Sequence, residues 1–186
     1  MRIDQELNNV LFTGKQWLDR DIGSSPVGTV IADELGGMCF AHQTVFTLVS
    51  LPVSVVGATG VGFGGTQIYD FPAGVLWVFA CTANLTFDTT GTNLDAADGG
   101  DFSVGTTVAG DGTLTNADVD ICPSTSVDPL SGGGTAYLAA GAMFDGSATA
   151  KDVYVNMLID DADIGDTESL LISGTIIITW VNLGDY

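Results

Sequence analysis

The sequence predicts an all-β protein, an antiparallel, jelly-roll-like β-sandwich with an N-terminal arm or short helix. Three observations carry that expectation. The good helix formers are scarce, with Lys and Arg together numbering only four in 186 residues. Glycine is abundant at 25 residues, and Val-, Ile- and Thr-rich runs alternate with Gly/Asp turn signals. The clearest strand signals lie at the end of the chain, in Val153–Ile159 and Leu170–Val181. In the first run Val153, Val155, Met157 and Ile159 share one face, and Asp152, Tyr154, Asn156 and Leu158 the other. The second run is nearly all apolar at Ile176–Ile178, which predicts a strand lying centrally in a sheet with both faces covered. With the Asp- and Gly-rich segment between them, the two runs read as a β-hairpin with a long acidic loop.

Taken in order, the chain divides into an arm, residues 1–27, and a sandwich, residues 28–186. In the arm, Ile3, Leu7, Val10 and Leu11 fall on one helix face. Asn8, Asn9 and Gly14 weaken that helix, so a short helix and an extended arm both remain open. Trp17 and Leu18 follow, and Gly23-Ser24-Ser25-Pro26 reads as a linker. Thr29–Ile31 and Gln43–Ser50 are strand candidates, and the Gly-rich Val53–Gly65 reads as a loop or irregular strand. Gln67–Phe71 and Gly74–Phe87 are strands split by Pro72, which suits a strand boundary. Asp98-Gly99-Gly100-Asp101 is a turn signal leading into Phe102–Val104. Short strands are expected at Gly112–Thr115, Val119–Cys122 and Thr135–Phe144, with a Gly-rich loop at 131–134. The total is eight to ten short strands, the pattern of a sandwich or jelly roll.

The length suits one domain with a substantial core. The net charge of −19 is unevenly placed. Residues 1–20 balance Arg2, Lys15 and Arg20 against Asp4, Glu6 and Asp19, and Lys151 is the only other basic residue. Everything after residue 20 carries the negative excess. Such a body repels nucleic acid and anionic membranes, because binding phosphates requires Lys and Arg. It also resists self-association outside a specific interface. The start, MRIDQELNNV, has charges where the apolar core of a signal peptide belongs. The most apolar window, Val45–Val61, is broken by Pro52 and by glycines, so no transmembrane helix is expected. The strand alternation would also suit an outer-membrane barrel, but that requires an export signal.

Candidate chemistry is sparse. Cys39, Cys81 and Cys122 are far apart in sequence and show no paired metal spacing, so buried free thiols in a reducing compartment are expected. His42 is the only histidine and no GxSxG elbow exists, which leaves His42 more readily structural than catalytic. VGATGVGFGG lacks the Lys of a phosphate loop. Asp160, Asp161, Asp163, Asp166 and Glu168 resemble a calcium loop only loosely, since Gly165 falls at the wrong offset; a solvated acidic loop competes with cation binding. A glycosidase needs two carboxylates across an aromatic-lined cleft, and no pair stands out. No cofactor is expected.

Four stretches together carry a family likeness: TQIYDFPAG (66–74), DGGDFSVGT (98–106), FDGSATAKDVYVNMLIDDADI (144–164) and GTIIITWVNLGDY (174–186). They resemble the capsid decoration, or cement, proteins of tailed bacteriophages. The resemblance spans roughly residues 40–186. It implies an all-β, non-enzymatic virion protein on the outer capsid surface, assembled in host cytoplasm. It further implies a homotrimer whose partner is the major capsid protein. Ile3, Leu7, Leu11 and Trp17, in the charge-balanced segment, are the expected capsid or intersubunit contacts. The alternative is a carbohydrate- or receptor-binding module of a phage fibre or adhesin, in which Trp77, Trp180 and the tyrosines would line a sugar site, although core or interface positions suit them more readily.

Overall fold

The computed structural model describes residues 23–24, 30–36, 41–58, 60–90, 93–137, 141–160, 164 and 167–184. These residues form ten strands: β1 (Val30–Gly36), β2 (His42–Ala58), β3 (Val61–Asp70), β4 (Gly74–Thr89), β5 (Gly99–Gly105), β6 (Cys122–Val127), β7 (Gly134–Tyr137), β8 (Ala142–Gly146), β9 (Asp152–Asp160) and β10 (Thr167–Asn182). Single 3-10 turns lie at Asn116–Asp118 and Leu130–Gly132. Every pairing is antiparallel, in the order β6-β5-β9-β3-β2-β10-β4-β7, with β1 beside β2 and β8 beside β4. The two ends of this path, β6 and β7, come back into contact. Gly134 of β7 shows how closely: a Cβ there would lie 2.5 Å from both Phe102 of β5 and Val127 of β6. The fold is therefore an all-β antiparallel sandwich, curled into a nearly closed barrel.

The interior is built around aromatic rings. Trp180 stacks on His42 at 4.2 Å and meets Phe71 edge-on at 5.1 Å. Tyr69 continues the column toward Phe71 and Phe46. Such offset and T-shaped contacts add roughly 0.5–1.5 kcal/mol each beyond the area they bury. The buried Trp180 Nε1–H donates to Thr44 Oγ1 at 2.9 Å, which answers the one polar group of the largest core side chain.

Bulges in β2 and β4 decide which residues of the two strands flanking β10 face this interior. β10 alternates without interruption, with Leu170, Ile172, Ile176, Ile178 and Trp180 all buried. Its neighbours do not. In β2 the buried set is His42, Thr44, Phe46 and Leu48, then Leu51, Val53 and Val55. One extra β2 residue between Leu48 and Leu51 shifts the register, and Ser50 there has φ of 49°. In β4 the buried set changes from Leu76 and Val78 to Cys81, Ala83, Leu85 and Phe87, across an extra residue beside Thr179. A one-residue slip sends every later side chain to the other face, so each bulge keeps apolar side chains inward over a strand too long to twist uniformly. Pro52 follows the first bulge. It lies where β1 has already left, at Leu48, and β3 pairs only from Val56, so its missing N–H costs no ladder bond on that side.

Several expectations are corrected. Val153–Ile159 and Leu170–Val181 are strands but not a hairpin: β9 pairs with β3 and β5, whereas β10 pairs with β2 and β4. In the sheet order β3 and β2 lie between them. β10 is central as expected, but only one of its faces is fully buried, and Ile177 is half-exposed. Val53–Gly65 supplies the end of β2 and the start of β3, with a turn at Gly60. Gly112–Thr115 is not a strand, and the expected Val119–Cys122 strand begins at Cys122. Thr135–Phe144 is two strands, β7 and β8. Gly23 and Ser24 are anchored and not free linker: Ser24 exchanges two backbone hydrogen bonds with Asp70, at 3.0 and 2.7 Å, and the Gly23 N–H donates to the Tyr69 hydroxyl. The rest of the expected arm, including its helix face, lies outside the described residues.

Candidate binding face

The side chains of the β1–β2–β10–β4–β7/β8 sheet that do not enter the core form one outer face. Register places them in rows. Val45 of β2, Ile177 of β10, Thr82 of β4 and Tyr137 of β7 run across one level. Val181 of β10, Trp77 of β4 and Met143 of β8 run across another. The β4 bulge turns both Phe79 and Ala80 outward between these rows, and Phe79 packs on Trp77 with ring centroids 5.6 Å apart. Trp77 is 45 % exposed, Tyr137 64 % and Met143 65 %. A further row, Thr47, Thr175, Asn84 and Thr135, is polar but uncharged. Across β2, β10 and β4 these rows carry no carboxylate; Asp33 on β1 and Asp145 on β8 mark the two rims.

The opposite side of the barrel is acidic. Asp70 faces Asp152 directly across the β3–β9 ladder. Burial first, and then the Asp152 carboxylate, pushes the Asp70 pKa up. Burial and Asp160 do the same to Asp101. The Tyr154 hydroxyl donates to Asp152 at 3.0 Å, and burial raises its pKa too. Lys151 is the one Lys or Arg among the described residues. The surface is thus polarised into a carboxylate-lined wall and an uncharged face with exposed aromatic rings.

The acidic wall carries a long loop between β5 and β6, held by one side chain. Asn156 is fully buried. Its Oδ1 accepts from the Ala109 N–H at 2.9 Å, and its Nδ2 donates to the Thr107 and Asp118 carbonyls at 2.9 and 3.0 Å. The Ser103 hydroxyl donates to the same Asp118 carbonyl, and the Asp120 carboxylate accepts from both the N–H and the hydroxyl of Thr106. Asn156 therefore does not face solvent with Asp152, as strict alternation predicts; the loop folds over it.

Of the residues singled out from sequence, Ile3, Leu7, Leu11 and Trp17 lie outside the described residues, as does Cys39. Cys81 and Cys122 are buried free thiols brought together from β4 and β6. Hydrogen bonding to Cys122, reinforced by burial, pushes the Cys81 thiol up. His42 is buried against Trp180, inside the core. Of the two tryptophans read as core or interface, with a sugar site as the alternative, Trp180 is core and Trp77 is surface, so they do not share a site. In the acidic 160–168 segment, Asp160 is exposed and Glu168 buried, while Asp161, Asp163 and Asp166 lie outside the described residues. Among the described residues no group of three or more His, Cys, Asp or Glu is placed to hold a metal ion. Phe79, Met143 and Val181 were not legible as surface residues, because the bulge that turns Phe79 outward leaves no mark in an apolar run. Neither a protein-family model nor a curated protein matches the chain.

Proposed function

We propose that this chain is a structural, non-enzymatic capsid decoration protein. In this reading it binds the outer surface of a tailed-phage head and stabilises the lattice of the major capsid protein, as a homotrimer. The observation that carries an assembly role is the polarised surface: an uncharged sheet face with exposed Trp77, Phe79 and Met143 on an otherwise acidic body. Exposed aromatic and Met side chains are the ones that anchor protein interfaces, whereas the acidic wall favours solubility. The link to phage heads rests on the sequence resemblance. Ligands that bind the assembled shell and not dispersed subunits shift the equilibrium toward the shell by mass action. The charge-balanced first twenty residues would supply lattice contacts through Ile3, Leu7, Leu11 and Trp17. Co-sedimentation of purified chain with expanded heads tests the proposal, with a variant lacking residues 1–20 testing the arm. Saturable, stoichiometric binding is expected; heads that neither carry the protein nor gain resistance to heat from it would refute the role.

A second reading is favoured by one observation, the Trp77–Phe79 pair on a hydroxyl-rich face. Exposed aromatic rings beside uncharged hydrogen-bonding groups suit a carbohydrate- or receptor-binding module of a fibre or adhesin. Glycan binding without head affinity would select it.

A further inference from the structure

We propose that the outer face of β2, β10 and β4 is the contact between copies of this chain, anchored at its β4–β8 end by the Trp77–Phe79 pair. This deepens the reading of that face as an assembly surface by naming its occupant. It does not depend on the identity of the head.

Charge selects the occupant. Each copy carries a net charge of −19, so two copies approaching through their acidic walls bring carboxylates against carboxylates. A basic partner would be drawn to the Asp70–Asp152 and Asp101–Asp160 wall and would have no reason to prefer an uncharged face. An acidic partner can approach closely only where the carboxylates stop, and a second copy is such a partner. The exposed apolar side chains are also concentrated there. Trp77, Phe79, Tyr137 and Met143 lie on the face, and Leu183 follows β10 at its edge, where its N–H donates to the Val75 carbonyl. Three strands at about 4.8 Å spacing, over eight residue steps at about 3.3 Å, give roughly 400 Å² in plan, so reaching the ~800 Å² each partner contributes to a standard interface also draws in Tyr137 of β7 and Met143 of β8. About a two-fold axis the face packs on its own copy; in a three-fold ring it turns toward the axis and meets both neighbours.

The salt response distinguishes this contact from one made by charge pairing. Screening weakens repulsion between the acidic bodies and leaves apolar burial intact, so association strengthens as salt is added. Sedimentation velocity of the full chain between low and high sodium chloride, at tens of micromolar, is the measurement. An oligomer that tightens with salt is expected. Trp77→Lys and Phe79→Ser should each weaken association at least tenfold while preserving the far-ultraviolet dichroism of the fold. Asp101→Asn, on the acidic wall, should leave it unchanged or slightly tighter. A wild-type chain that stays monomeric across the salt range would overturn the proposal, as would a folded Trp77→Lys variant that assembles like wild type. If the chain is monomeric but Trp77→Lys abolishes binding to heads, the occupant is the capsid lattice: this proposal fails and the decoration role survives. If the chain is monomeric and Trp77→Lys abolishes only glycan binding, both fail.

Discussion

Asn156 shows how one polar side chain fixes a long segment. It satisfies one backbone donor and two backbone acceptors of the β5–β6 loop from a fully buried position. Removing the amide leaves the Ala109 N–H and the Thr107 carbonyl without this partner, while the Asp118 carbonyl keeps the Ser103 hydroxyl, at about 1–3 kcal/mol for each group that water cannot reach. Asn156→Ala is therefore expected to cost roughly 3 kcal/mol in urea denaturation and to open residues 106–121 to limited proteolysis. A loss below about 0.5 kcal/mol would mean that the loop holds its place through Asp120 and Ser103 alone. In the sequence Asn156 looked like one more solvent-facing strand residue, because nothing local announces that a loop from fifty residues earlier lies over it.

At the level of the strands, β10 is the straight reference against which β2 and β4 are bent. Gly174 lies in β10 beside the β2 bulge, with φ of +138°, and a Cβ there would collide with the Asn84 carbonyl of β4. Both the backbone conformation and the close approach require glycine. Gly174→Ala is expected to destabilise the fold by about 2 kcal/mol or more. Thermal unfolding of that variant checks this, with a drop of about 4–8 °C expected for a chain of this size. Unchanged stability would show that β10 can shift to relieve the collision. The same bulges create the binding face, since the extra residue in β4 presents Phe79 beside Trp77. Strand existence was readable from Val, Ile and Thr runs. Bulge positions were not, since an extra residue in an apolar run looks like its neighbours.

For the whole molecule the decisive quantity is the distribution of charge. Burial, and then Asp152, holds the Asp70 carboxyl above the ordinary value of 3.8; burial does the same for Asp101 and Asp120, with Asp160 adding to the first. Groups that bind protons more tightly when folded make folding take up protons, so stability grows as pH falls through their raised pKa values toward 3.8 and declines as pH rises again. Asp145, lowered by hydrogen bonds from Ser147, acts in the opposite sense but is exposed. The thermal midpoint is therefore expected to rise between neutral pH and about pH 4.5. Sodium chloride at neutral pH should also raise it, by screening the same repulsion. Scanning calorimetry across that range provides the check, and a midpoint that falls steadily on acidification would contradict the assignment. Asp152→Asn should raise the neutral-pH midpoint, because it removes the like charge directly opposite Asp70.

The sequence by itself determined the all-β class and the excess of negative charge. Each of these follows from composition and short-range alternation, which a chain carries whatever its fold. Only the tertiary structure decided that β9 and β10 are not partners, that Trp180 is core while Trp77 is surface, and that the rows around Trp77 and Phe79 carry no carboxylate across β2, β10 and β4. Those outcomes depend on which strands meet and where a bulge shifts the register, and pairing between distant segments is set by the closing of the whole ladder, not by any local pattern.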